Sequence, residues 1–221
     1  MDEPETCNLY KEGHISVLKD YGVTNVTSNN NDWMVNPNIY VVVAESVIDG
    51  ELLGGIRVQI SDENTMLPIE KAIGKLDPRI HDIVRMYRQR GVSELTALWN
   101  AKKIAGKGVS TLLSRAGISI LNQLTCETMI GICAEYTLEM FRRVGFVVDN
   151  SLGLNGEFPY PNENYITRVL GILNASTLAT AHEYDKMRME SLRDFPKQTY
   201  IEKETDVEIE IHYNLILANT Q

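Results

Sequence analysis

SELTALWNAKKIAGKGVSTLL, residues Ser93 to Leu113, decides the reading of this chain. Glu94 to Asn100 reads as a buried strand, and a lysine-bearing glycine turn follows it. The chain then re-emerges as a helix near Gly108. A loop that holds phosphate needs that order: the strand anchors the turn, and the helix start offers unpaired amides and the positive end of its dipole to an anion. Gly106 and Gly108 lack a Cβ, so their backbone can approach a ligand closely and adopt positive φ. Lys102, Lys103 and Lys107 place positive charge where a diphosphate would lie. The same residues also read as a surface connection that happens to carry glycines and lysines, because short Gly-x-Gly matches are common.

Working outward, Thr6 to Tyr21 carries apolar residues at helical spacing, with Gly22 as its stop. After a polar loop, Ile39 to Ala44 is a β-branched strand, Asp49-Gly50 a hairpin turn, and Leu52 to Ile60 the returning strand. Pro68 to Ile73 and Pro78 to Arg90 read as helices, the latter N-capped by Asp77. A helix follows from Gly108 to Gln123, then a strand at Met129 to Cys133 and a helix at Ala134 to Arg143 that Gly145 ends. Phe146 to Asp149 and Tyr165 to Leu173 are two more strands. These elements give a mixed α/β (α+β) fold with a central twisted sheet flanked by helices.

Composition bounds the function. The chain has 221 residues, 43% hydrophobic and 23% charged, enough for a sizeable core. No apolar run reaches the roughly 18 residues of a membrane helix. The acidic start, MDEPETCNLYKEG, is not a secretory signal. Cys7, Cys126 and Cys133 show no metal spacing and suit a reducing cytoplasm, so the expectation is a cytoplasmic protein without a metal. The formal charge of −9 argues against a nucleic-acid partner.

The order of elements and two local motifs resemble the GNAT superfamily of acyl-CoA-dependent N-acyltransferases, over about residues 5 to 173. In that family a Gln/Arg-x-x-Gly-x-Gly/Ala loop holds the pyrophosphate of coenzyme A. The matching segment is Ala105-Gly106-Lys107-Gly108-Val109-Ser110, with Ala105 in place of the opening Gln/Arg and Ser110 as the closing small residue. Glu135 to Phe146, EYTLEMFRRVGF, resembles the family's helix ending in a Gly-Phe pair. A narrower resemblance joins Leu53-Gly54-Gly55-Ile56-Arg57, Met66-Leu67-Pro68-Ile69-Glu70 and Glu94-Leu95-Thr96-Ala97-Leu98. It is to the autoinducer synthases and long-chain N-acyl amino acid synthases, which usually have arginine where this chain has Ala97. Gly54-Gly55 also reads simply as a bulge.

The resemblance implies aminolysis of a thioester, with acetyl-CoA, a longer acyl-CoA or an acyl-carrier protein as donor and a small-molecule primary amine or amino acid as acceptor. The catalytic set it implies is Glu94, Leu98 and Trp99. Amides of Leu98, Trp99 and Asn100, where the strand splays from its neighbour, would polarise the carbonyl, each such donor being worth about 3 kcal/mol. Lys103, Gly106, Lys107, Gly108, Val109 and Ser110 complete the donor site. Glu94 at the strand start is the candidate base, its pKa raised beside the core; it reads equally as a solvated strand-end carboxylate. Glu45 is a second candidate. Where relatives place a tyrosine near the coenzyme sulfur this chain has Phe141, and Tyr136 lies on another helix face. That loss keeps a different class open, a non-catalytic acyl-CoA-binding module or sensor. A nucleotide-binding α/β protein is weakened by the missing third glycine and the missing lysine-serine ending.

Other residues read as structural. Trp33 and Trp99 are candidates to line an acyl pocket, with Trp99 first of all a packing residue; His14 is a surface or capping residue, Cys133 a buried apolar one, and HEYDKMRMESLRDF a solvated charged face. Beyond residue 173, residues 174–221 form an extension on the same domain: a helix over Ser176 to Phe195, then a hairpin of Thr199 to Ile201 and Val207 to Ile216 turning near Glu204-Thr205. Such a hairpin completes the sheet, covers the cleft or mediates a homodimer, since an unpaired strand invites aggregation.

Overall fold

Residues 3–20, 22 and 32–217 are described in the computed structural model of the chain; Tyr21 and most of the polar loop after Gly22 lie outside them. The β-branched run becomes β1 (Ile39–Glu45) and turns at Asp49-Gly50 into β2 (Leu52–Ile60). The glycine-turn strand is β3 (Val92–Asn100), followed by β4 (Thr128–Ala134), a short β5 (Val147–Val148), β6 (Glu157–Pro159) and β7 (Ile166–Ile172). The seven strands pair in the order β1-β2-β3-β4-β7-β5, with β6 also on β7, and only β3 and β4 run parallel. β6 escaped the sequence reading because its three residues sit among Gly, Pro and Asn.

Helices cover both faces. α1 (Pro4–Asp20) lies against β2 and β3, where Tyr10, Trp33 and Trp99 form a cluster of their own. His14, expected at the surface, is buried at 7% exposure and stacks on Tyr10, because the α1 face that carries it turns inward. α2 (Pro68–Ile73) and α3 (Arg79–Arg88) cover the same face further along. Asp77 still takes the Arg79 amide (3.2 Å), although the helix starts one residue later than expected. α4 (Val109–Ser119) crosses the opposite face, packing Leu113 and Ala116 with Ile56, Val58 and Leu95. It tightens into a 3₁₀ turn at Ile120–Gln123. The helix expected from Ala134 is a 3₁₀ turn, then α5 (Leu138–Arg143).

The extension differs most from expectation. Its helix, α6 (Glu183–Asp194), begins seven residues late, because Asn174 closes a turn on Ser176 and Thr177 and Leu178 adopts φ +50°. β8 (Lys197–Glu202) and β9 (Ile209–Asn214) form a separate two-stranded sheet and do not extend the main one. The face read as solvated is in part core: Asp185, Arg188, Met189 and Leu192 are all buried. Arg115, with a fully buried side chain, pairs with Asp185, Glu202 and Glu204, and Arg188 with Glu202. Tyr213 donates to Glu202 at 2.7 Å. No helix among the described residues is long and apolar enough to cross a membrane.

Candidate active site

The parallel pairing of β3 with β4 stops early. Its last aligned pair is Glu94 with Ile130, yet β3 runs on to Asn100 and β4 to Ala134. The strands therefore part around residues 95 and 131, opening the split expected near Leu98 to Asn100. On its other side β3 is bulged against β2: between Gly55 and Arg57 two steps of β2 face three of β3, and Ala97 takes φ +52°. Against β3 the extra residue is Ala97; against β1 the register shifts beside the glycine pair as well, Ala44 facing Gly54 and Glu45 facing Leu52. A left-handed alanine costs of order 1–2 kcal/mol, and the Tyr10 hydroxyl holds it by donating to the Ala97 carbonyl at 2.7 Å.

The glycine turn sits at the end of this strand. Gly106 has φ +75° and Gly108 φ +81°, and α4 starts directly after Gly108. The Thr111 and Leu112 amides bond back to the Gly108 carbonyl (3.0 and 3.2 Å), which leaves the Val109 and Ser110 amides without a backbone partner among the described residues and able to meet an anion. Ser110 Oγ donates to Asn100 Oδ1 at 2.5 Å, tying the strand end to the first helical turn. Lys103 pairs with Glu51 and Lys102 with Asp20 at the surface, leaving Lys107 without an ion pair among the described residues. One neighbour was unforeseen. Glu204 of the hairpin lies so close that a Cβ on Gly108 would fall 2.3 Å from the Glu204 Cβ. Its carboxylate is held by Arg115 and by Arg143 (3.0 Å).

Glu94 and Trp99 share the α1 side of the sheet. Trp99 is buried, and Gly13 is what lets α1 cross it: a Cβ there would stand 2.2 Å from the indole. Leu98 packs against the main core on the other side. Glu94 is buried at 1% exposure; its Oε2 accepts the Ile69 amide at 2.7 Å, while Oε1 meets no donor among the described residues. Burial pushes its carboxyl up to about 8, against the pull of the Ile69 amide and the Arg57 charge. It is neither solvated nor open to the surface. Glu45, the second candidate, is exposed at the hairpin end of β1. Phe141 packs edge-on against Phe146 at 5.4 Å in the core, and Tyr136 is 75% exposed. Burial pushes the Cys133 thiol up to about 12, which suits a buried apolar residue and no nucleophile.

Beside Glu94, Arg57 and Pro68, expected only as parts of motifs, and Gln59 join Trp33, a candidate for the acyl pocket. Arg57 is 2% exposed, and burial pulls its guanidinium down from the usual value. With Gln59, Trp33 and Pro68 it lines a cavity of about 470 Å³ on the α1 side. The signal was present: a cation inside LLGGIRVQI, a strand otherwise apolar enough to be core. No group of His, Cys, Asp and Glu among the described residues is arranged to hold a metal.

No family model matches the chain, and no curated protein matches its sequence. Solved structures do match its fold. An N-acyl amino acid synthase from uncultured soil microbes superposes with a TM-score of 0.61, covering 81% of this chain and 97% of its own at 10% identity. A CoA-dependent acyl-homoserine lactone synthase, solved with SAM and isopentyl-CoA, gives 0.52 over 85% and 81% at 14% identity. An acyl-CoA N-acyltransferase from Pseudomonas aeruginosa gives 0.50 over 75% and 88% at 12% identity. At such identities the likeness is one of fold, and that fold is the GNAT-like one expected from the order of elements.

Proposed function

We propose that this chain is an acyltransferase that moves an acyl group from a coenzyme A or carrier-protein thioester to a primary amine, by direct attack in a ternary complex. The observation that carries this reading is the split between β3 and β4 next to a glycine turn and a helix start. A phosphopantetheine arm lies along the open edge of β3, and its phosphates meet the amides of Gly106 to Ser110, with Asn100, Lys103 and Lys107 alongside. Amides near Leu98 and Trp99 polarise the thioester carbonyl. The amine nitrogen forms the new C–N bond, the C–S bond breaks, and the thiolate leaves without a protein acid, since thiols are acidic enough for that. The amine proton passes to Glu94, directly or through water. Residues 1–173 are the transferase unit and residues 174–221 its extension, in a cytoplasmic protein.

Two observations favour a second reading, a non-catalytic acyl-CoA-binding module. Glu94 is closed off by α2, and the tyrosine position holds a core phenylalanine. Calorimetric titration with CoA, acetyl-CoA, a long-chain acyl-CoA and an acyl-carrier protein, then thiol release with a panel of amines, separates them. Binding with amine-dependent thiol release supports the enzyme; binding without release leaves the module; no binding and no release with any donor sinks both.

A further inference from the structure

β3 carries a strained residue where the proposed chemistry needs its amides. Ala97 has φ +52°, a region unfavourable for any residue with a Cβ. Such a conformation persists only where the surroundings over-determine it. Here the surroundings are α1. The Tyr10 hydroxyl donates to the Ala97 carbonyl at 2.7 Å. Tyr10 is 1% exposed, and burial pushes its phenol well above the usual value, so it stays a donor at any working pH.

Sheet and helix are cut to fit this contact. Gly55 of β2 leaves the slot for the Tyr10 ring, since a Cβ there would fall 2.6 Å from Tyr10 Cδ2. Gly13, almost one turn along α1, leaves the slot for the Trp99 indole. Tyr10 also meets Trp33 edge-on at 5.8 Å, and its ring lies 6.3 Å from that of Trp99. A phenol so enclosed has little freedom, and its hydroxyl fixes the Ala97 oxygen instead of following it.

That bond fixes a whole peptide unit. The Ala97–Leu98 peptide is trans. In a planar trans unit the carbonyl and the next amide point in opposite directions. Drawing the Ala97 oxygen toward Tyr10 therefore turns the Leu98 N–H away from it. The strand ladders specify this unit poorly. Toward β4 the parallel pairing has ended at Glu94 with Ile130. Toward β2, Arg57 faces Thr96 and Gly55 faces Trp99, so Ala97 and Leu98 share the single residue Ile56. Tyr10 supplies the constraint that the ladders lack.

We propose that Tyr10 is a positioning residue for acyl transfer: through the Ala97 carbonyl it aims the Leu98 amide at the thioester oxygen. This rests on the acyl-transfer reading, which makes that amide an oxyanion donor. Such a donor stabilises the transition state because it needs no reorganisation when charge develops. Tyr10 is buried and acts through Ala97, so losing its hydroxyl leaves donor binding intact and slows the chemical step.

Two substitutions and their combination test it. Tyr10→Phe keeps the ring in its slot and removes the hydroxyl. Ala97→Gly frees the positive φ from the Cβ penalty, so the bulge no longer needs a brace. Amine-dependent thiol release is measured on all four proteins with whichever of acetyl-CoA, a long-chain acyl-CoA and an acyl-carrier protein supports it. Tyr10→Phe should lower kcat about ten- to hundredfold, a part of what losing a whole oxyanion donor costs. KM for the donor, and its affinity by calorimetry, should stay within about twofold of wild type. In the Ala97→Gly background the same substitution should cost at most about threefold in kcat. Thermal midpoints test the brace without turnover: Tyr10→Phe should lower the midpoint less when combined with Ala97→Gly than alone. An unchanged kcat, a loss of donor affinity in step with kcat, or an equal loss of kcat in both backgrounds would each overturn the proposal while thiol release by the wild type keeps acyl transfer. No release by the wild type with any donor and amine removes the acyl-transfer reading, and Tyr10 is then a structural brace only.

Discussion

Glu94 is the residue where stability and chemistry meet. Its carboxyl is pushed from 4.5 in the ordinary state to about 8 in the fold, chiefly by burial. Between those two values the folded chain holds a proton that the unfolded chain has released. The contribution is thus fully present below about pH 4.5, declines as pH rises, and is gone above about pH 8. The slope of one such proton approaches about 1.4 kcal/mol per pH unit. Glu94→Gln removes it. The difference in unfolding free energy between wild type and Glu94→Gln, measured by denaturant titration from pH 5 to 9, should follow that slope and flatten at the alkaline end. A difference independent of pH would mean that Glu94 is ionised in the folded protein throughout. If Glu94 is also the base, wild-type turnover rises with pH through about 8, and the variant loses that rise.

At the scale of elements, legibility followed the range of the interactions. β1, β2 and α4 were readable because β-branched runs, Asp49-Gly50 and the glycines before α4 are local signals. The bulge at Ala97 was not, since alanine carries no mark of positive φ and the Tyr10 hydroxyl that supports it comes from α1. Nor was the ionic lattice beneath the hairpin. Asp185 and Arg188 look like one more solvated helical face until Arg115 and Glu202, far away in sequence, arrive to pair with them. In the candidate site, the glycine turn and Glu94 were visible by type and position. The isolation of Arg57 was not, because it depends on which carboxylates fail to reach it. The lattice itself makes a prediction. Arg115→Met strands Asp185, Glu202 and Glu204 around a shared buried spot, which should cost about 3–5 kcal/mol. Thermal unfolding at pH 7 checks this, and a variant within about 1 kcal/mol of wild type would show that Arg143 and Arg188 suffice.

For the whole molecule, the question is whether the extension is an accessory or part of the body. Met189, Leu192, Tyr213 and Leu215 belong to the same hydrophobic cluster as Ile56, Leu95 and Phe146 of the sheet and its helices. Four such side chains, at roughly 1.5–3 kcal/mol each for burial, amount to a large share of a domain's marginal stability. Glu204 lies against Gly108, so the hairpin also braces the turn assigned to the donor. Deleting residues 174–221 would therefore uncover apolar core and leave Arg115 without its three carboxylates. The shortened chain should show no cooperative thermal transition, and any soluble fraction should lose affinity for CoA. A truncated protein that melts cooperatively near the wild-type midpoint and still binds CoA would make the extension a separable addition. The glycine turn would then stand on β3 and α4 alone.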